Sequence, residues 1–550
     1  MTVRRHRRRQ SLAVGGAVIV AVLLPLASAH GSPRATNPAC DTKRAAVSYP
    51  AAAVPLAATA TTTSAGAPVP CLVRVPKSTA AGETHIVVPA PGVLLDQAQN
   101  VLGDGNAGAN TQAPIVLGLS TDEGRTWAPT AQSIGAASGA SGIDNTLYRD
   151  PRTGRLFWIV YDTGSAVLNT VMGMSDDGGR TWRSGSTPCC AEGENPRMLA
   201  AAPRVSTTQG YPDVLYHCTN TAQLGGLIFA AGVRECLRSL DGGTTWDSGR
   251  ILLQKPTGHF PECGGLGEIF DALDGSYPTA DAAGRLYLII RCGPESESLA
   301  GPTPSTAFIV RSDDEMATWT KVADAPPLPV GYGTRGTPSK EELRSDADGN
   351  LYLVRGTQDP TYALYVWVST DHGVTWSKPR IVSLPGSKLA ASPTWQIAVG
   401  KPGHLAVAYA GSTTAPPCDT SSTTCPSLSM YLVQSHDALS PNPTYEGAAL
   451  NTSKDHTQYS LGGSDFVDVT VGPDGIARAV FPFGYVGWLG TLTTAQPAST
   501  HRASHPAKPP AVRPAGGALA ATGLPAGVTV AAFALLAVGA AQLRRRGRSA

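Results

Sequence analysis

From about residue 84 the chain alternates short apolar runs with turns rich in Asp and Gly. Asp150-Pro-Arg-Thr-Gly154 leads into Arg155 and LFWIV, and Asp281-Ala-Ala-Gly284 into Arg285 and LYLII. Asp346-Ala-Asp-Gly349 leads into Asn350 and LYLV, Gly400-Lys-Pro-Gly403 into His404 and LAVAYA, and Pro473-Asp-Gly475 into Ile476 and ARAVF. Runs this short, bounded by turn residues and rich in β-branched and aromatic side chains, predict strands, with a further strand before each turn.

A second element recurs between these hairpins. STDEGRTW spans Ser120 to Trp127, SDDGGRTW Ser175 to Trp182, SLDGGTTW Ser239 to Trp246, SDDEMATW Ser312 to Trp319 and STDHGVTW Ser369 to Trp376. A worn copy keeps only Ser435 and Asp437. Ser and Asp side chains hold a turn by bonding nearby backbone groups, glycine supplies a positive φ, and the tryptophan buries a large apolar surface beside it. Asp122, Asp177, Asp241, Asp314 and Asp371 are therefore read as structural.

Each unit reads strand, Asp/Gly turn, strand, loop, strand, box, strand. The expected fold is all-β: a six- or seven-bladed β-propeller of four-stranded antiparallel blades with Asp-box turns, over residues 84–495. A blade shared between the two ends of the chain would close the ring and remove its open edge. The boxes resemble those of the sialidase-like, or BNR-repeat, β-propellers, and the likeness covers roughly residues 84–493.

Strand direction puts the tight turns and the boxes on one face of such a ring and the long, varied connections on the other. Binding chemistry belongs with the varied connections. Polar residues where the inner strands begin would surround the channel mouth: Asp144, Asn145, Arg197, Glu268, Asp271, Glu341, Glu342, Trp395 and Asp465. The stretch 255–271, with His259, Glu262, Glu268 and Asp271, is the densest titratable patch on a long connection, and paired acids there suit general acid–base work. Arg197, Glu268, Asp271 and Glu342 are the catalytic candidates. Asp144, Asn145, Tyr332, Arg335, Trp395 and Asp465 are the binding candidates. The sialidase resemblance implies an arginine triad for a substrate carboxylate, a Tyr–Glu nucleophile pair and an Asp acid/base. Val73-Arg74-Val75-Pro76 is the one approximate match to its arginine motif and lacks the aromatic residue, which makes Arg74 the candidate first arginine. Asp346 to Asn350 has some calcium-loop character, but the hairpin turn explains it better. No metal or other cofactor is expected.

Composition refines this picture at the ends. Sixty Gly and 45 Pro with 15% charged residues suit a turn-rich all-β protein. Of 43 basic residues nine lie in the first nine and last seven positions, leaving 34 against 41 acidic ones in the body, which argues against a nucleic-acid partner. Residues 1–29 have the basic, apolar and A-x-A pattern of an export signal, by either the Sec or the Tat route. Residues 30–83 are Ala/Pro/Thr-rich and look loosely structured, and 496–518 read as a Pro/Ala-rich spacer. Leu519-Ala-Ala-Thr522-Gly523, an apolar segment of spanning length at 524–543 and a basic tail at 544–550 follow. Their order resembles a cell-wall sorting signal of the LAxTG type used by class E sortases. That resemblance implies cleavage after Thr522 and attachment to peptidoglycan; a plain transmembrane anchor is the alternative. The ten cysteines fit an oxidising location. Cys418 with Cys425 closes a short loop, and Cys40 with Cys71 is a further pair. Cys189 and Cys190 are expected to find partners among Cys218, Cys236, Cys263 and Cys292.

Two functions follow from this reading. One is an exported, surface-attached, monomeric glycoside hydrolase of exo-α-sialidase type acting on extracellular glycans or glycoproteins. The other is a non-catalytic propeller that binds glycan or protein.

Overall fold

The computed structural model describes residues 39–100, 116–132, 146–162, 169–185, 199–221, 233–254, 277–292, 306–327, 341–389, 395–413, 429–451 and 467–494, with short breaks inside some of these ranges. They form a seven-bladed β-propeller of antiparallel sheets. Three strands precede the first blade: β1 (Ala39–Cys40), β2 (Val47–Pro50) and β3 (Pro68–Arg74). Blade 1 is β4 (Ala81–Ala90), β5 (Val93–Asn100), β6 (Val116–Ser120) and β7 (Ala128–Gln132). Blade 2 is β8 (Thr146–Arg149), β9 (Leu156–Asp162), β10 (Asn169–Ser175) and β11 (Arg183–Ser184). Blade 3 is β12 (Leu199–Pro203), β13 (Asp213–Thr221), β14 (Val233–Ser239) and β15 (Arg250–Gln254). Blade 4 is β16 (Thr279–Ala280), β17 (Leu286–Cys292), β18 (Thr306–Ser312) and β19 (Thr320–Asp324). Blade 5 is β20 (Glu341–Ser345), β21 (Leu351–Gly356), β22 (Leu364–Ser369) and β23 (Arg380–Ile381). Blade 6 takes β24 (Lys388–Leu389), β25 (Trp395–Val399), β26 (Leu405–Ser412), β27 (Ser429–Ser435) and β28 (Thr444–Ala449). Blade 7 holds β29 (Asp468–Val471), β30 (Ala477–Phe483) and β31 (Val486–Thr494).

The N-terminal stretch completes the ring. β3 pairs along β31 from Pro68↔Thr494 to Arg74↔Trp488, so the last blade takes its outer strand from the start of the chain. β1 adds outside β3, and β2 adds outside β28 of blade 6. Part of the region expected to be loosely structured is therefore strand. Disulfides join Cys40 to Cys71 and Cys218 to Cys236, each between residues facing each other across two strands. The second pair replaces the expectation that Cys218 and Cys236 serve Cys189 and Cys190. Cys189, Cys190, Cys263, Cys418 and Cys425 lie outside the described residues.

Strand side chains alternate between two faces, and in a ring each face meets a neighbouring blade. The core is accordingly divided into seven apolar clusters, one per seam. Blades 1 and 2 enclose Val87, Leu95, Leu117, Leu147 and Trp158; blades 7 and 1 enclose Val73, Val480, Leu489, Ile86 and Leu94. Box tryptophans sit against these seams: Trp127 on the seam of blades 7 and 1, Trp182 on 1 and 2, Trp246 on 2 and 3, Trp319 on 3 and 4, Trp376 on 4 and 5.

The boxes repeat one bonding scheme. In the second, Ser175 Oγ donates to Asp177 at 2.9 Å, the Gly179 N–H donates to Ser175 Oγ at 2.9 Å, and Thr181 bonds Asp177 through its N–H and its hydroxyl at 2.9 and 2.6 Å. Asp122, Asp241, Asp314 and Asp371 are held in the same way.

The expectation of a transmembrane helix, and with it of a membrane-anchored location, is corrected. The described chain is built of strands, and among the described residues no helix is long and apolar enough to cross a membrane. Residues 1–38 and 495–550, the sorting motif Leu519, Thr522 and Gly523 included, lie outside the described residues.

Candidate functional site

The inner strands β4, β8, β12, β16, β20, β25 and β29 surround a channel with a cavity of about 540 Å³. Five of the hairpins that follow them close at equivalent residues. The N–H groups of Asp150, Asp281, Asp346, Gly400 and Gly472 donate to the carbonyls of Arg155, Arg285, Asn350, His404 and Ile476. Four residues before each closure stand Thr146, Tyr277, Glu342, Gln396 and Asp468. Equivalent backbone positions thus carry five different side chains.

The channel wall mixes hydrogen-bonding and apolar groups. Arg344, Gln396, Asp468, His85 and Thr146 line it from blades 5, 6, 7, 1 and 2, with Ile397, Val469 and Val87 among them, and Leu147, Leu199, Ala201 and Pro278 from blades 2, 3 and 4, with Arg152, Asp213 and Asp281 among them. An inner strand has one edge without a ladder partner, and its amide hydrogens need acceptors. Neighbouring blades supply them. Asp468 accepts the Ile86 N–H at 3.0 Å and has His85 Nδ1 3.4 Å away. Glu342 accepts the Ile397 N–H at 3.0 Å and the Gln396 side-chain amide at 3.3 Å, and pairs with Arg344 at 2.6 Å. Tyr148 accepts the Ala201 N–H and Thr279 the Ser345 N–H, each at 2.8 Å.

Behind Asp468, Asp96 stands on β5 opposite Ile86 and is 2% exposed. Burial, and then repulsion by Asp468, pushes its carboxyl up to about 8, so it is protonated at neutral pH. Asp468 keeps 13% of its side chain exposed. The site therefore pairs a buried neutral carboxyl with a carboxylate at the channel wall.

Glu342 stands on the inner strand of blade 5, where it is fully buried and its oxygens hold the seam. Glu341 is spent on an ion pair with Arg355. Trp395 is fully buried in the core between blades 5 and 6 and presents no face to the channel, which corrects its reading as a binding residue. Arg74 lies on the fourth strand from the channel in blade 7. Asp346 spends its oxygens on the Asp348 and Asn350 N–H groups, the Asn350 amide and the Tyr352 hydroxyl, a hairpin turn rather than a calcium loop. Asp144, Asn145, Arg197, Glu268, Asp271, Tyr332, Arg335 and Asp465, with His259 and Glu262, lie outside the described residues. The residues missed are His85, Asp96, Thr146, Arg344, Gln396 and Asp468. Three of them had a signal, the fixed offset from the hairpin closure, which selects Thr146 over Asn145, Gln396 over Trp395 and Asp468 over Asp465.

The BNR/Asp-box repeat family matches residues 367–378, the fifth box. No curated protein sequence matches the chain. Among solved structures, the chain is similar to an α-L-arabinanase of Penicillium chrysogenum complexed with arabinobiose, at 13% identity and a TM-score of 0.37, over 69% of this chain and 98% of that one. An α-L-arabinofuranosidase of Fusarium graminearum gives 13% identity and 0.37, over 68% and 96%. A Hadza microbial sialidase gives 13% and 0.38, over 70% and 75%. At these identities and TM-scores the likenesses carry no argument about activity or substrate.

Proposed function

We propose that the protein acts on carbohydrate at the channel mouth, as a glycoside hydrolase. The observation that carries this reading is a channel wall that combines hydrogen-bonding side chains, Gln396, Asp468 and His85 among them, with apolar ones such as Leu147, Leu199 and Ala201. A sugar ring asks for the same combination, with hydroxyls round its edge and C–H groups on its faces. Carboxylate, amide and guanidinium groups hold adjacent hydroxyls through paired hydrogen bonds. A cavity of about 540 Å³ suits a ligand of one or a few sugar units. Asp468 and Gln396 hold the ring in this reading.

The bond-breaking groups are assigned to the connections that lead into blades 3 and 4. Glu268 and Asp271 serve as the proton donor to the glycosidic oxygen and the carboxylate that attacks or activates water, and Arg197 is the third catalytic group of this reading. Asp144, Asn145, Tyr332, Arg335 and Asp465 are the further binding residues of this reading. Of the arginines among the described residues of the wall, Arg149, Arg152 and Arg344, the last two are matched by carboxylates, Asp213 at 2.8 Å and Glu342 at 2.6 Å. That favours a neutral glycan as the first substrate class. The narrower exo-α-sialidase form needs an anionic sugar, which Arg197 and Arg335 would have to hold.

The test is turnover of a panel of fluorogenic glycosides, a sialoside included. Turnover of a neutral glycoside, lowered about 100-fold in kcat by Glu268→Gln or Asp271→Asn and weakened in KM by Asp468→Asn, fits the reading. Turnover of the sialoside alone selects the narrower form. No turnover, with glycan-array binding that Asp468→Asn abolishes, replaces the hydrolase with a binding propeller. Neither turnover nor binding rejects carbohydrate.

A further inference from the structure

The seam between blades 2 and 3 is unlike its neighbours at the turn end of the channel. Asp150, in the β8–β9 turn, and Asp213, at the start of β13, are 0% and 1% exposed and both line the channel. Asp150 accepts the Arg152 N–H at 3.0 Å, the Thr153 hydroxyl at 2.7 Å and the Tyr211 hydroxyl, the last from blade 3. Asp213 has Arg152 Nε 2.8 Å away, and Arg152 also donates to the Pro212 carbonyl at 2.8 Å. By contrast Asp281 is matched by Arg285 at 2.6 Å, and Asp346 by the Asn350 amide at 2.9 Å.

Counting the charges that face the pair from each element decides its protonation. From blade 2 come Arg152, Arg155 and Tyr148; from blade 3 comes Tyr211. Arg155 is stacked over the Tyr211 ring at 4.5 Å, and its charge is matched by Asp176. Burial first, then the neighbouring acids, hold Tyr148 and Tyr211 well above the usual phenol range, so both are neutral. Two buried carboxylates would then share one guanidinium, that of Arg152, itself half exposed. A buried negative charge without a partner is strongly unfavourable.

We infer that Asp213 holds a proton beside Asp150 and that the two side chains form a pH-sensitive latch that closes the seam between blades 2 and 3 at the turn end of the channel. Burial, and then the charge of Asp150, pushes the Asp213 carboxyl up to about 7. With the proton present the seam is neutral. As pH rises the proton leaves to water, and two carboxylates oppose each other across the seam. The contacts that join the blades there, Tyr211 to Asp150 and Arg152 to Asp213 and Pro212, are the ones strained. Because the folded-state pKa is raised, the stabilisation is complete below about 4 and is lost as pH rises through about 7.

Hydrogen exchange on the full-length protein at pH 5 and pH 8.5, corrected for the intrinsic rate, tests the latch. Peptides covering 146–162 and 199–221 should lose protection about tenfold at the higher pH, while those of blade 5 keep theirs. Asp213→Asn, which cannot ionise, should abolish the difference. Asp96→Asn should leave it in place. Arg152→Met removes the one cation that favours loss of the proton and should move the transition to higher pH, which gives a readout if Asp213→Asn does not fold. Equal protection at both pH values, a difference that persists in Asp213→Asn, or an unmoved transition in Arg152→Met overturns the inference.

Discussion

At the turn end of the ring, five boxes repeat one set of hydrogen bonds; at the mouth, five equivalent inner-strand positions carry Thr146, Tyr277, Glu342, Gln396 and Asp468. The turn end is also where side chains stitch blade to blade in a regular way. Arg155 of blade 2 donates to the Gly242 carbonyl in the box of blade 3 at 3.0 Å. Glu315, in the box of blade 4, accepts the Val205 N–H of blade 3 at 2.8 Å. Glu123, in the box of blade 1, pairs with Arg478 of blade 7 at 2.9 Å. Repetition marks positions that do the same job in every blade. Divergence at equivalent backbone positions marks where a ligand can be distinguished, and that is why the mouth is assigned the function.

The boxes and the buried acid beside the mouth should answer pH with opposite sign, and this is the largest effect expected. At the turn end burial raises the Asp177 carboxyl, but the hydrogen bonds from Thr181, Ser175 and Arg180 together outweigh it and bring it down to about 2. A depressed carboxyl stabilises above its unfolded pKa and stops doing so as pH falls through the folded value, between about 4 and 2. Asp96, beside the mouth and raised to about 8, stabilises at low pH and loses that contribution as pH rises from about 4 to 8. For a wholly buried group the loss is on the order of several kcal/mol. In urea unfolding from pH 4 to 9, Asp96→Asn should flatten the alkaline decline, with a residue due to Asp213. An unchanged slope would remove the buried acid from the mouth.

Second in size is the contrast between two ion pairs. Arg478 is 1% exposed and held by Asp474 at 2.7 Å and Glu123 at 2.9 Å. Asp474→Ala leaves a buried guanidinium half-compensated and should cost about 3 kcal/mol in urea unfolding. Glu342→Gln keeps an acceptor for the Ile397 N–H and leaves Arg344 partly open to water, and about 1–2 kcal/mol is expected. Equal costs would mean that the mouth is as much a structural seam as the turn end.

Third is the contrast within the boxes. Asp177 accepts bonds from Ser175, Arg180 and Thr181, whereas Asp437 of the worn box accepts from Ser435 Oγ at 3.0 Å and the Thr444 N–H at 2.9 Å. Thermal unfolding should show Asp177→Ala costing about 2 kcal/mol and Asp437→Ala about half of that.

These contrasts explain what was legible in the sequence. A turn that satisfies itself locally writes its whole bonding scheme into eight consecutive residues, so the boxes, the hairpins and the blade order could be read directly. Strand β2, VSYP, carries no alternation of its own and exists because the edge of β28 accepts it, so the N-terminal strap was missed. Cys218 and Cys236 face each other only through the register of β13 and β14. The mouth residues depend on the same register. Asp465 and Asp468 look alike in sequence, and only counting back from the Gly472 closure selects the second.

The smallest effect tests how strictly the turn end repeats. Met316 stands where four boxes carry glycine, at φ 66°, and is 1% exposed in the seam between blades 3 and 4. A left-handed backbone costs a non-glycine residue about 1–2 kcal/mol, so Met316→Gly relieves strain. It also empties a buried site, and removing a methionine side chain from a core costs about 2–5 kcal/mol. Burial should win narrowly, with a net loss of about 1 kcal/mol in thermal unfolding. A gain in stability would show that the box geometry alone governs the turn end. The expected loss would show that a box departs from its pattern where the new side chain packs into the seam.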